Sequence, residues 1–167
     1  MNVKRGLLII LISLLVMAGI EAMAQEAPSF ALVSSGGKMV YRKELKGNLV
    51  ISFFASYCKP CKKELPALVE VIKKYEKSKG VTLVLITTDI NDQAGDAVDK
   101  GREFLHDIGI DSEFLVDMYH TAITKYSPKK VVPATFLINR QGYVVFHEIG
   151  ARDDTVARIE KQIKLLK

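Results

Sequence analysis

The sequence predicts an α/β fold in which a mixed central sheet has helices on both faces. Two apolar stretches, 49–54 and 81–87, have the composition of buried strands. Apolar residues recur at helical spacing after the first stretch, and the chain closes with two strand-like segments and an amphipathic helix. Strands that alternate with helices favour parallel pairs, and strands joined by a short turn favour antiparallel pairs, so one sheet should contain both.

An N-terminal β-hairpin is expected in front of this core. Residues 25–29 form an extended lead-in, and the segments 30–33 and 39–41 flank the turn sequence Ser-Ser-Gly-Gly-Lys. After the strand 49–54, a helix is predicted from about residue 60 to residue 79. It should end at Gly80, because glycine is common just beyond the last helical turn.

The second half of the chain predicts further short elements and then a closing ββα unit. Between the strand 81–87 and residue 125 we expect a polar loop, an amphipathic helix, a short strand and a brief helix, at 89–95, about 97–108, 114–116 and about 118–125. A turn at 127–130 precedes strands at 134–139 and 143–149. Asp153 or Asp154 should cap a final helix that runs to Lys167.

The only two cysteines of the chain, Cys58 and Cys61, lie where the first buried strand meets its helix. This CxxC spacing at a strand-to-helix junction is typical of a dithiol/disulfide redox centre. Cys61 would lie one turn further into the helix, where burial is expected. It would then resolve a mixed disulfide formed at Cys58.

The position of Cys58 at the start of a helix favours a thiolate. Unpaired backbone N–H groups and the helix dipole stabilise negative charge there. Pro60 fits the first turn, where its missing N–H costs nothing. Lys59, Lys62 and Lys63 add positive charge nearby. We therefore expect Cys58 to be the attacking sulfur, and Lys59 to tune the redox potential.

Three other interpretations of the two cysteines are less favoured. A structural disulfide across so short a loop would contribute only about 2 kcal/mol to a domain with its own core. Zinc would need two more ligands, and His106, His120 and His147 show no paired spacing. Covalent haem attachment requires a histidine after the second cysteine, where this chain has Lys62. No metal site or cofactor is predicted.

The N-terminus predicts export. Residues 1–24 combine a short basic start, an apolar stretch at 6–20 and the cleavage-type sequence Ala22-Met23-Ala24. An uncleaved membrane anchor is the alternative, although the apolar stretch is short for a span. The expected location is the periplasm or the outer face of the membrane. Residues 25–167 would form one domain.

The charge pattern argues against nucleic acid as a partner. The formal net charge is +5, and basic residues are scattered rather than gathered in a stripe interleaved with aromatic residues. The excess of positive charge is better interpreted as a solvated surface.

These marks together resemble the thioredoxin superfamily, and within it the secreted TlpA/ResA-like thiol–disulfide oxidoreductases. The resemblance covers nearly all of residues 28–167. It includes the hairpin, Cys58-Lys-Pro-Cys61, Lys62-Lys-Glu-Leu-Pro66, the extra element near 95–125, and Val132-Pro-Ala-Thr-Phe-Leu-Ile138 followed by Asn-Arg-Gln-Gly142. It implies a thioredoxin fold with one inserted element.

The resemblance also implies a docking position for clients. The Val132–Pro133 peptide bond would be cis and lie opposite the sulfurs, where the Val132 backbone could pair with a bound partner. From the residues alone, Pro133 could simply open a strand. Tyr57 stands where the family usually has tryptophan, so it could still form a flat apolar rim beside the dithiol.

Glu64 matches a carboxylate that lies close to the dithiol in ResA-like proteins. The acidic strand residue of thioredoxins is replaced here by Ser52, which makes Glu64 the better candidate for proton exchange with Cys61. The alternative is that Glu64 is an ordinary solvated helix residue.

The resemblance implies a reductant for protein disulfides, with the haem-site cysteines of apocytochrome c as an example of a client. A membrane thiol-electron carrier would reduce it again, and it would act as a monomer. Two alternatives stay open: a disulfide oxidant or isomerase with the same residues, and a non-enzymatic chaperone that binds Cu(I) through Cys58 and Cys61. A peroxidase is less favoured, because the threonine-containing sequence that precedes peroxidatic cysteines is missing before Cys58.

Overall fold

The computed structural model describes residues 25–92 and 96–166, which contain a seven-stranded sheet and flanking helices. The strands β1 to β7 are Ala31–Ser34, Met39–Tyr41, Asn48–Phe54, Val81–Thr87, Leu115–Val116, Ala134–Ile138 and Val144–Ile149. The helices α1 to α4 are Lys59–Lys79, Ala97–Asp107, Ile123–Tyr126 and Thr155–Leu165. The predicted signal peptide, 1–24, lies outside the described residues.

The sheet is mixed, as predicted. Its strand order is β2-β1-β5-β4-β3-β6-β7, which places the two most apolar strands in the middle. Strand β3 pairs parallel with β4 and antiparallel with β6. Because β3 and β4 are parallel, the residues that follow Phe54 and Thr87 come together at one edge of the sheet.

The central strand β3 is buried on both faces, and its alternate residues enter two different cores. Val50 and Phe54 pack in a core that includes side chains of α1, α2 and α4. Leu49, Ile51 and Phe53 face the opposite core, which contains residues of the lead-in, the hairpin and α3. Each fully buried side chain of this size contributes about 1.5–3 kcal/mol of hydrophobic stabilisation.

Helices therefore cover both faces, but unevenly. The longer helices α1, α2 and α4 share one side, which is called the α1 side below. The other side is covered by the single turn of α3 together with the lead-in residues Ala27 and Phe30. None of the helices within 25–92 and 96–166 is long and apolar enough to cross a membrane.

The prediction of a helix at 118–125 is largely wrong, because only Ile123–Tyr126 is helical. The buried carboxylate of Asp117 accepts hydrogen bonds from the backbone N–H groups of Ala122 and Ile123. These bonds replace helical ones. His120 also has a φ of 56°, which a right-handed helix does not allow.

The observed ends of the other helices agree more closely with those predicted from the sequence. Helix α1 stops at Gly80, whose φ of 56° lies in the left-handed region. Asp154 does occupy the residue before α4, but it makes no side-chain capping bond. Its carboxylate accepts instead from Arg152, at 2.9 Å from Nε. The exposed guanidinium is a stronger partner than a backbone amide.

Candidate functional site

The two cysteines form a disulfide at the beginning of α1. Cys58 is the residue before the helix, and Cys61 lies in its first turn, with a Cα–Cα distance of 5.4 Å. The sulfur of Cys58 accepts a hydrogen bond from the backbone N–H of Cys61 at 3.3 Å. This N–H is one of those that a helix leaves unpaired at its start, so the same contact would stabilise a thiolate after reduction.

The neighbours of the disulfide differ in exposure. Cys61 is completely buried, and Cys58 retains 5 % of its accessible surface. Tyr57 is 72 % exposed beside it. Lys59 and Pro60, the first two residues of α1, are also exposed. Cys58 is thus the cysteine that retains some solvent-accessible surface, and its chain neighbours are one exposed aromatic and one exposed cationic side chain.

A buried aspartate fixes the loop that leads into Cys58. The carboxylate of Asp89 accepts from the backbone N–H of Ser56, at 2.9 and 3.2 Å to its two oxygens. It also accepts from the Ser56 hydroxyl at 2.7 Å and from the Thr87 hydroxyl at 2.6 Å. The sequence placed Asp89 in a polar turn, but it is only 4 % exposed. Its hydrogen bonds hold Ser56 two residues before the disulfide.

The Val132–Pro133 peptide bond is cis, as the resemblance predicts. Pro133 is buried, and its carbonyl accepts from the backbone N–H of Gly150 at 2.8 Å. Val132 is half-buried and packs against both cores, one of which contains the two cysteines. The Val132–Pro133 segment therefore lies beside the core that contains the disulfide.

Glu64 is buried, so its interpretation as an ordinary solvated helix residue is wrong. Only 8 % of its surface is exposed, and it lies one turn after Cys61 on α1. Its Oε1 accepts from the Thr135 hydroxyl of β6 at 2.9 Å. The Thr135 hydroxyl lies 3.1 Å from the hydroxyl of Ser52 on β3. A chain of three polar side chains thus connects α1 to the centre of the sheet.

Burial raises the pKa of Glu64 above its ordinary value. The hydrogen bond from Thr135 acts in the opposite direction, and the negative charge of Glu148 adds to the rise in pKa. Glu148 itself forms ion pairs with Arg158 and, at 3.6 Å, with Arg152. A carboxyl group with a raised pKa can exchange protons closer to neutral pH.

A surface cleft of about 500 Å³ reaches Glu64 from solvent. Pro60, Lys63 and Ala67 of α1 line one wall, and Arg152 and Val156 line the other. Glu64 therefore lies one helical turn from the buried Cys61 and borders an opening to water.

The histidines do not join the disulfide. His106 lines a separate cleft at the end of α2, and the Nε2 of His120 lies 2.9 Å from the Thr88 carbonyl. His147 is exposed on β7 and stacks on Phe136. Among residues 25–92 and 96–166, no three His, Cys, Asp or Glu side chains come close enough to form a metal site.

Asp89, Thr135 and Glu148 were not predicted as site residues. For Asp89 a signal was present, since it follows β4 just as Ser56 follows β3, and parallel strands bring their carboxyl ends together. Thr135 and Glu148 have no comparable local pattern. Their positions depend on the pairing of β6 with β3 and β7.

Known proteins are similar to this chain in sequence. Residues 23–147 match the AhpC/TSA family. The thiol-disulfide oxidoreductase ResA of Bacillus thuringiensis (strain Al Hakam) is 33 % identical over 141 residues, which cover 84 % of this chain and 76 % of that protein. ResA of Bacillus subtilis (strain 168) is 31 % identical over 153 residues, with coverages of 86 % and 81 %.

A solved structure agrees with these relatives. The crystal structure of a thiol:disulfide interchange protein of the thioredoxin family from Chlorobium tepidum TLS is similar, with a TM-score of 0.65. It is 28 % identical, and the match covers 87 % of this chain and 97 % of that one. The similarity in fold thus extends over most of both chains.

Proposed function

The chain belongs to the AhpC/TSA family of thioredoxin-like proteins and is a thiol–disulfide oxidoreductase, and from this premise we propose that it reduces protein disulfides outside the cytoplasm. The observation that carries the proposal is the disulfide between the residue before α1 and its first turn. Of the two cysteines, only Cys58, the residue before the helix, retains any solvent-accessible surface. This asymmetry suits a two-step exchange.

In the first step, the Cys58 thiolate attacks one sulfur of a client disulfide. A bond forms between Cys58 and that sulfur, the client S–S bond breaks, and the second client sulfur leaves as a thiolate. The helix start and Lys59 stabilise the Cys58 thiolate before the attack. Pro60 has no backbone N–H group, and in the first turn of α1 this costs no helical hydrogen bond.

In the second step, Cys61 resolves the mixed disulfide. Its thiol proton passes to the Glu64 carboxylate, and the resulting thiolate attacks Cys58. The Cys58–Cys61 bond forms, the bond to the client breaks, and the client leaves reduced. The burial of Glu64 and the cleft that reaches it support this role.

Clients would dock beside Cys58. We assign the backbone of Val132 as the pairing site for an extended client segment, with Pro133 fixing the direction of that backbone. Tyr57 would contact the client on the other side, where a cleft of about 360 Å³ begins. The half-buried position of Val132 against the cysteine-containing core supports this assignment.

The expected location is the periplasm or the outer face of the membrane, after export by residues 1–24. The resemblance to secreted TlpA/ResA-like proteins supports the reducing direction, with clients such as the haem-site cysteines of apocytochrome c. A membrane thiol-electron carrier would restore the dithiol, because extracytoplasmic thiols are otherwise oxidised. The proposal includes a monomer with no cofactor and no nucleic-acid partner.

Trapping tests the two-step exchange. A Cys61→Ala variant should accumulate mixed disulfides with clients through Cys58, visible as bands on non-reducing gels that vanish on reduction. The matched control is Cys58→Ala, which should trap nothing, because the remaining cysteine is buried. Equal trapping by both variants, or none by either, would contradict the proposal. Loss of bound Cu(I) without any trapping would favour a copper chaperone.

The direction of electron flow is tested by equilibrating residues 25–167 in thiol redox buffers. A reduction potential below about −220 mV, in the range of glutaredoxins and thioredoxin, would support a reductant. A value near about −120 mV is that of a strong disulfide donor. It would replace the proposal with the oxidant alternative.

A further inference from the structure

The α1 side of the sheet carries a row of polar residues across three neighbouring strands, β3, β6 and β7. In the register of the sheet, Ser52 of β3 lies opposite Thr135 of β6, and Thr135 lies opposite Glu148 of β7. Residues directly opposite each other on paired strands share a face of the sheet. All three side chains therefore point to the side on which Glu64 approaches from α1. Ser52 and Thr135 are 0 and 1 % exposed. Buried hydroxyls at these positions need hydrogen-bond partners.

The direction of the hydrogen bonds follows from the number of protons. A hydroxyl group has a single proton to donate. Thr135 donates it to Oε1 of Glu64, at 2.9 Å. In the 3.1 Å contact between the hydroxyls, Ser52 must therefore be the donor. The hydrogen bonds therefore run in one direction, from Ser52 to Thr135 and from Thr135 to Glu64.

Charged groups near the Glu64 carboxyl group come from α1, β7, α4 and the loop before α4, and none comes from β3 or β6. They are Lys63 of α1, Glu148 of β7, Arg152 and Asp153 of the loop before α4, and Arg158 of α4, which pairs with Glu148. Lys63 and Asp153 pair with each other at 3.0 Å and are both exposed, so solvent screens them. Glu148 has only 16 % of its side chain exposed, which makes it the least screened acidic neighbour.

We propose that Thr135 is a positioning residue for Glu64: its hydroxyl, held by Ser52, fixes the carboxyl group toward the sheet and favours its charged, proton-accepting form. This inference rests on the proposed function of Glu64 as the proton acceptor of Cys61. Glu148 acts against Thr135, because its charge favours the neutral form of Glu64. The balance of these two neighbours decides the pH at which Glu64 can accept a proton.

The proposal predicts that two substitutions change the titration of Glu64 in opposite directions. Thr135→Val keeps the shape of the side chain but removes the donor, so Glu64 should ionise at higher pH. The lost hydrogen bond to a charged group corresponds to a roughly tenfold smaller ionisation constant. Glu148→Gln removes a negative charge, so Glu64 should ionise at lower pH. Thr135→Ser retains the hydroxyl and should restore the wild-type titration.

The experiment is a ¹³C NMR titration of the Glu64 carboxyl carbon in the oxidised protein, where the cysteines do not titrate. An upward shift in Thr135→Val, a downward shift in Glu148→Gln and a wild-type midpoint in Thr135→Ser would support the proposal. A purely structural role would admit water to the site and lower the midpoint in both variants. A midpoint in Thr135→Val at or below the wild-type value therefore overturns the proposal.

Two further measurements keep the outcome clear. If Thr135→Val does not fold, Ser52→Ala removes the donor that holds Thr135 and should give a smaller upward shift, and no shift would overturn the proposal. The pH dependence of mixed-disulfide resolution tests Glu64 separately. If Glu64→Gln resolves mixed disulfides at the wild-type rate and pH profile, the proton-transfer function fails, even where the titrations show that Thr135 positions the carboxyl group.

Discussion

Lys59 illustrates how a single exposed residue can influence the chemistry of a buried bond. It directly follows Cys58 and is the first residue of α1, so its ammonium group lies near the positive end of the helix dipole. Both features stabilise the reduced thiolate form. A more stable reduced form makes the disulfide a stronger oxidant.

Lys59→Gln should therefore lower the reduction potential of the couple. A loss of about 1.4 kcal/mol of thiolate stabilisation corresponds to roughly 30 mV, which sets the upper range of the effect. Equilibration in thiol redox buffers measures it. The control is Lys77→Gln at the far end of α1, about 27 Å away by helical rise, where solvent ions screen the charge. An unchanged or higher potential in Lys59→Gln would contradict the prediction.

Glu64 predicts a specific dependence of stability on pH. Its pKa in the folded protein is raised above 4.5, mainly by burial, so the folded state binds a proton more tightly than the unfolded state. This contribution to stability is present below the unfolded pKa and is lost as the pH rises through the folded pKa. Glu64→Gln, which stays neutral, should gain stability relative to the wild type as the pH rises above 4.5, the ordinary pKa of the carboxyl group.

Urea unfolding of the oxidised proteins at several pH values measures this difference. Glu76→Gln is a suitable control, since Glu76 is an exposed residue of the same helix. A stability difference that stays constant with pH would show that Glu64 titrates alike in the folded and unfolded chains.

Among the secondary-structure elements, one carboxylate of α4 connects this helix to α1. Glu160 of α4 accepts at 2.9 Å from both the Lys74 ammonium and the Tyr75 hydroxyl of α1. Lys164 approaches it at 3.5 Å from within α4. The hydrogen bond from Lys74 is the main cause that lowers the pKa of Glu160 to about 2, followed by that from Tyr75.

A lowered pKa makes this connection sensitive to acid. The stabilisation by Glu160 is complete above its unfolded pKa of about 4.5 and is lost as the pH falls toward 2. Glu160→Gln should thus be less stable than the wild type at pH 7, and the difference should disappear near pH 2. Thermal unfolding followed by circular dichroism across this range tests the prediction. A difference that grows on acidification would contradict it.

The loop before the disulfide depends on another carboxylate, Asp89. Asp89→Ala would leave the half-buried N–H and hydroxyl of Ser56 without their acceptor, which costs about 1–3 kcal/mol. Ser56→Ala removes only the hydroxyl bond and should cost about 1 kcal/mol. Urea unfolding compares the two variants. If Ser56→Ala were as destabilising as Asp89→Ala, the backbone contact would not contribute as described.

For the whole molecule, the strand order predicts where the structure opens first. Strands β3 and β4 lie at the centre of the sheet and pair over their full length of seven residues, whereas β2 and β7 lie at its edges. Amide hydrogen exchange should be slowest in β3 and β4, approaching the rate of global unfolding. It should be fastest in β2, with β7 intermediate because α4 packs on it. Equal protection of β2 and β3 would contradict this order.

The sequence was sufficient for the strands and most helices because their signals are local. The strand Val81–Thr87 was predicted with its observed bounds, and α1 was predicted to end at Gly80. The CxxC motif was also predicted at its observed position, the junction between β3 and α1. The helix predicted at 118–125 failed because the Asp117 side chain replaces its backbone hydrogen bonds, and periodicity carries no information about that competition.

Local sequence patterns suffice to predict a mixed α/β sheet with a disulfide redox motif at the start of a helix. The hydrophobic period, the glycine that ends a helix and the cysteine spacing are each recognised over a few neighbouring residues. The burial of Glu64 against Thr135, 71 positions away, and the contact of Asp89 with Ser56, 33 positions away, become visible only in the folded protein. Such partners are fixed by strand order and register, which place side chains together only after the sheet has formed.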